Sequence, residues 1–170
     1  MLPATIPAEL QVALRSIYEE VMWLSRRPNV TPGRARAWYT HIMAEPFKRQ
    51  LRQFTGQVSE AAVTATTEPL RLEHFKRIQT TLSDLVKRHR TKGLNDPAEF
   101  IQILVEYERV HIVTRGESYD AMRAKGDYER AGIKLRSWDS LPSARQRELW
   151  RTMLRGKVAN ASKFVQEVAA

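Results

Sequence analysis

Apolar residues recur in alternating steps of four and three at Leu10, Leu14, Ile17, Val21 and Leu24. That spacing lays one stripe along a helix, predicted from about Ala8 to Arg26 and stopped by Pro28. Thr31-Pro32 then reads as an N-cap followed by a proline preorganised for the first turn. The helix it opens turns Trp38, His41 and Ile42 inward. Pro46 should kink or break it, having no N–H to donate. Phe47, Leu51 and Phe54 carry a helical pattern on to Gly56, with Lys48, Arg49 and Arg52 on the other side. Residues 57–67 are small and almost uncharged, and read as a linker or a short, poor helix.

The strongest helical pattern starts after Thr67-Glu68-Pro69. Leu72, Phe75, Leu82, Val86 and His89 form a seam, and the pattern ends near Gly93 with cations that suit the helix dipole. Asp96-Pro97-Ala98-Glu99 is a capping-box variant for a helix bearing Phe100, Leu104, Tyr107 and His111. Residues 105–114 are ambiguous, because Val110, Ile112 and Val113 also suit a strand. A short echo links residues 106–112 to 127–133. It is read as coincidence rather than as two paired strands, since one copy lies in a helical pattern.

Further on, Ile133 to Trp138 alternates apolar and polar, as a short strand would. Asp139 to Pro142 then caps a helix with Leu149, Trp150, Met153 and Leu154, ended by Gly156. Val158, Ala161, Val165 and Val168 mark a last helix. These elements predict a mainly α fold: a compact bundle of six or seven helices with room for one short β-hairpin in the C-terminal half. Residues 1–170 are expected to form one domain. Its finer division is a basic helical lobe, 1–93, and a mixed-charge C-terminal lobe, 94–170.

Charge changes this picture most. The 28 Lys and Arg exceed the 19 Asp and Glu by 9. The excess lies in residues 26–52, 71–92 and 143–163, whereas 93–142 is slightly acidic. Clustered like charges repel until a polyanion neutralises them, so the partner expected is nucleic acid, DNA or RNA, held by its backbone. Arginine outnumbers lysine twenty to eight. Its planar fork suits phosphate, although a G+C-rich coding sequence would enrich it as well.

Three clusters are candidates for phosphate contact. Arg26, Arg27, Arg34 and Arg36 surround a predicted helix N-terminus, where positive charge opposes the dipole and a docked anion would relieve the conflict. Lys87, Arg88, Arg90 and Lys92 end the best helix and join Lys48, Arg49 and Arg52 as backbone contacts. Arg147, Arg151 and Arg155 share one face at spacings of four. All three clusters are expected to converge into one track. Trp38 and Trp150 interleave with these charges, but both sit at apolar helical positions that favour core packing over base stacking.

Other chemistry finds little support. With no cysteine, disulfides, thiolate metal sites and a Cys nucleophile are excluded. No phosphate loop, nucleophile elbow or HExxH pair occurs, so neither cofactor nor metal is expected. No run approaches the roughly 18 apolar residues of a membrane span. The first residues also lack a secretory leader, so a cytoplasmic protein without membrane contact is expected. Two rivals stand beside nucleic-acid binding. One is an assembly or adaptor protein whose basic faces meet acidic protein surfaces. The other is a divalent-metal nuclease built on His111, Glu117, Asp120 and Asp127, loosely supported by the distant Asn160. The leading expectation is a non-catalytic nucleic-acid-binding protein, a small subunit of a larger nucleoprotein complex in which residues 93–142 contact a protein neighbour.

Overall fold

The computed structural model describes residues 6–42 and 45–165. The chain divides into two compact units, each assembled from separate segments. Residues 1–50 and 77–107 form the first unit, and 51–76 and 108–170 the second. The lobe boundary expected between residues 93 and 94 lies inside the first unit.

The first unit is helical. Helix α1 (Ala8–Ser25) buries Leu10, Leu14, Ile17 and Val21, four members of the predicted stripe. Thr31 Oγ1 accepts from Arg34 N and caps α2 (Pro32–Ala37). A π-turn, Trp38–Ile42, follows. The extra residue in a π-turn rotates the inward face. Tyr39 is therefore the buried ring, while Trp38 (38% exposed) and His41 face solvent, contrary to expectation. The side chain of Ile42 lies outside the described residues. Helix α3 (Glu45–Leu51) carries Pro46 in its first turn, where no N–H is needed.

Helix α5 (Ile78–Lys92) ends on Gly93 in the left-handed conformation, and α6 (Ala98–Tyr107) starts with Asp96 Oδ1 accepting from Ala98 N. The core joins Leu14, Leu82, Leu85, Phe100 and Leu104. His89 is buried in it and shares a 2.7 Å hydrogen bond with the hydroxyl of Tyr18. Burial holds the Tyr18 phenol above its ordinary pKa.

The second unit overturns the expectation of a helical bundle with one hairpin. It contains a four-stranded mixed sheet of β1 (Gln53–Ser59), β2 (Leu70–His74), β3 (Arg109–Thr114) and β4 (Leu135–Ser137), in the order β2-β3-β1-β4. Strands β1 and β3 are parallel; β2 runs antiparallel to β3, and β4 antiparallel to β1. Phe54 and Gly56, read as the end of a helix, lie in β1. Leu72 and Phe75, read as helical seam residues, belong to β2 and the residue after it. His111 sits on a strand, not on the α6 stripe. The echo 127–133 makes turns and no strand.

Three helices complete this unit: α4 (Glu60–Thr64), α7 (Arg115–Arg123) and α8 (Ser143–Leu149). Thr114 and Glu117 form a reciprocal capping box at the start of α7. Helix α8 continues into a second π-turn, Trp150–Leu154. The predicted last helix is only a 3₁₀ turn, Ala161–Phe164, and Val168 lies outside the described residues. One face of the sheet packs Phe54, Val58, Val110 and Ile112 against Trp138, Leu149 and Leu154. Where β4 stops short of the first half of β1, the chain substitutes a side chain for a strand. The amide of Asn160 accepts from Phe54 N and donates to Phe54 O, both at 2.9 Å.

Candidate nucleic-acid interface

In the second unit, α8 and the π-turn after it project Arg147, Arg151 and Arg155 along one side. All three are exposed, and together they line an open groove of about 480 Å³. Trp150, Phe164 and the half-exposed Val165 supply its apolar lining. The indole Nε1 of Trp150 donates to Ala161 O (2.9 Å), which fixes the ring. The Arg155 guanidinium lies 5.9 Å from the Trp150 ring centroid, within cation–π range. Phe164 is set edge-on to Phe54 (4.7 Å) and Trp138 (5.6 Å).

Gly56 lies beneath the Phe164 ring in a backbone conformation that favours glycine. Its φ is +80°, at an irregularity in the register of β1 with β3, and an added Cβ would lie 3.5 Å from Phe164 Cε1. Glu148 also lines the groove but is paired with Arg145 at 2.6 Å. Arg145 donates further to the carbonyls of Ala62 (2.6 Å) and Ala65 (2.8 Å), so it works as an internal strut. The sequence pattern found the arginine face. It placed Trp150 in the core, whereas the ring is half-buried and serves both core and groove.

The first unit gathers a second set of cations around the loop after α1. Arg34 Nη1 donates to Asn29 O (3.4 Å), Arg90 Nη1 to Val30 O (3.3 Å) and Arg26 Nη2 to Asn95 Oδ1 (2.9 Å). Arg27 stacks over Trp23, 4.6 Å from the ring centroid. The expected helix N-terminal clamp takes a different form. Arg26 and Arg27 follow the C-terminus of α1, where positive charge suits the dipole, and only Arg34 and Arg36 fall on α2. Arg36 donates to Thr40 Oγ1 (3.2 Å), and Lys48 to Thr40 O (2.9 Å). Arg49, Lys87 and Lys92 are exposed.

Two predicted contacts are engaged by carboxylates. Arg88 pairs with Glu99 at 2.5 Å, and this bond holds the Glu99 carboxyl below its usual pKa. Arg52 pairs with Glu108 at 3.2 Å with its side chain only 11% exposed. Glu108 itself is fully buried, and His74 Nε2 lies 3.0 Å from the same Oε2. These three residues stand at the ends of β1, β3 and β2, and tie the strands together.

The nuclease cluster does not assemble. Glu117 accepts from Ser59 Oγ (2.5 Å) and closes the α7 capping box; Asp120 pairs with Arg123; Asp127 caps its own turn by accepting from Arg130 N. Asn160 is occupied by the Phe54 backbone. Among the described residues, no group of three His, Cys, Asp or Glu is placed to hold a metal.

His111 is buried, stacked on Phe75 with ring centroids 4.6 Å apart, and edge-on to Tyr128. Thr55 Oγ1 donates to Val110 O (3.1 Å) and so accepts from His111 Nδ1 (2.6 Å). Burial, assisted by the nearby Arg109, pushes the imidazole pKa down to about 4. A neutral ring in this setting packs against Phe75 and Tyr128 beside the sheet. The acids of the 93–142 segment are largely engaged as well: Asp96, Glu99, Glu108, Glu117, Asp120 and Asp127 all have partners within the chain.

No family model, curated protein or solved structure matches the chain. No helix among the described residues is long and apolar enough to cross a membrane.

Proposed function

We propose that this is a cytoplasmic, non-catalytic protein that binds nucleic acid through phosphate contacts, as a small subunit of a larger nucleoprotein complex. The observation that carries the reading is the groove beside α8. Three exposed arginines line it together, and the nearby Glu148 is already neutralised by Arg145. The cations around Arg26, Arg34 and Arg90 give the first unit a second surface of the same sign. Guanidinium groups that share a wall and make no ion pair among the described residues attract a polyanion, because each phosphate bound releases condensed counterions.

The test is oligonucleotide affinity measured against salt. The log–log slope should steepen by about 0.7 to 0.9 for each phosphate neutralised. Replacing Arg147, Arg151 and Arg155 together with Ala should flatten it by roughly two to three, about one for each phosphate that no longer meets a guanidinium. An unchanged slope, or no binding at low salt, overturns the proposal.

A further inference from the structure

The lining of the α8 groove holds more than a phosphate clamp needs. A site that only neutralised a backbone would want cations on an open face. This one sets its arginines beside two aromatic rings within about 480 Å³, a volume in the range of small-molecule pockets. Both rings are immobilised before any ligand arrives. The Ala161 carbonyl holds the indole of Trp150, and Phe54 and Trp138 hold Phe164 over the glycine at position 56. A rigid platform avoids the entropy cost of ordering side chains on binding.

Resting on the phosphate-binding reading, we infer that the groove takes single-stranded nucleic acid, with an unstacked base on Trp150 and its flanking phosphates on Arg147, Arg151 and Arg155. Charge complementarity selects the anion, and the aromatic lining selects the flat ring attached to it. A duplex keeps its base faces against one another and cannot offer one to the indole. A single strand can, and stacking of this kind is tolerant of sequence because every base has a π-face. The Arg155 guanidinium, 5.9 Å from the indole centroid, keeps the cation for a flanking phosphate close to the stacking ring.

The experiment compares three probes on the full chain at one salt concentration: an oligothymidylate, an abasic deoxyribose-phosphate strand of equal length, and a duplex. The first two differ only in their bases. The oligothymidylate should bind about tenfold or more tighter than the abasic strand, as expected for one stacked base. It should also bind tighter than the duplex. Trp150→Leu, verified as folded by circular dichroism, should remove the preference for bases while keeping the abasic affinity. Arg151→Ala, at an exposed position, should weaken both strands alike. Equal affinity for the thymidylate and abasic strands overturns the single-strand inference and leaves phosphate binding standing. Failure of all three probes to bind overturns both.

Discussion

Acid should destabilise the second unit through His111, and the size of the effect can be worked out. The folded imidazole has a pKa of about 4, whereas the unfolded chain restores the ordinary value near 6.5. Between these values the unfolded state binds a proton that the folded state refuses, so stability falls as pH falls. Going from about pH 7.5 to about pH 5, this one group should remove about 2 kcal/mol. His111→Gln keeps a donor for Thr55 but does not titrate, so the difference between the two proteins isolates the histidine from every other carboxyl and imidazole. Trp23 and Trp38 belong to the first unit. Replacing both with Phe leaves Trp138 and Trp150 to report on the second during urea unfolding. The parent should lose about 2 kcal/mol more than His111→Gln across the window, a midpoint shift on the order of 1 M urea. Parallel declines would refute the account, and would mean that the ring is solvated or that Arg109 and Phe75 do not act on it as argued.

Two further outcomes test the architecture. Glu108→Ala leaves Arg52 without its carboxylate in a nearly closed site, so it should cost about 3–5 kcal/mol; thermal unfolding measures this, and a loss below about 1 kcal/mol would show that the three strand ends hold without the tie. Gly56→Ala places a Cβ at φ +80° against Phe164 and should cost about 1–2 kcal/mol. Urea titration checks the cost, and a loss below about 0.3 kcal/mol would show that the backbone at position 56 carries no such strain.

Local signals were legible where one element answers to one pattern. The α1 stripe, the Thr31 cap, the Gly93 stop and the arginine face of α8 follow from helical spacing and backbone chemistry alone. The sheet was hidden because its strands also fit helical spacing. Phe47, Leu51 and Phe54 match steps of four and three, yet Phe54 pairs with Val110, more than fifty positions away. Leu70-Arg71-Leu72-Glu73-His74 alternates strictly, which was the available sign of β2, but Leu72 and Phe75 are also three apart. The same overlap carried the α6 stripe into His111. Long-range pairing decides such cases, and no window of local periodicity contains it. The paired roles of Arg52, His74 and Glu108 were equally out of reach, since each stands at the end of a different strand.

Because the chain passes between its units after Gln50, Lys76 and Tyr107, no single proteolytic cut can separate one from the other. A cut after Lys76 would leave two fragments that each hold pieces of both units, and a cut after Gln50 or Tyr107 would leave one whole unit still joined to part of the other. To produce the groove-bearing unit alone, residue 76 would have to be spliced to residue 108 and the first fifty residues removed. The buried carboxylate of Glu108 would then stand directly beside that new join.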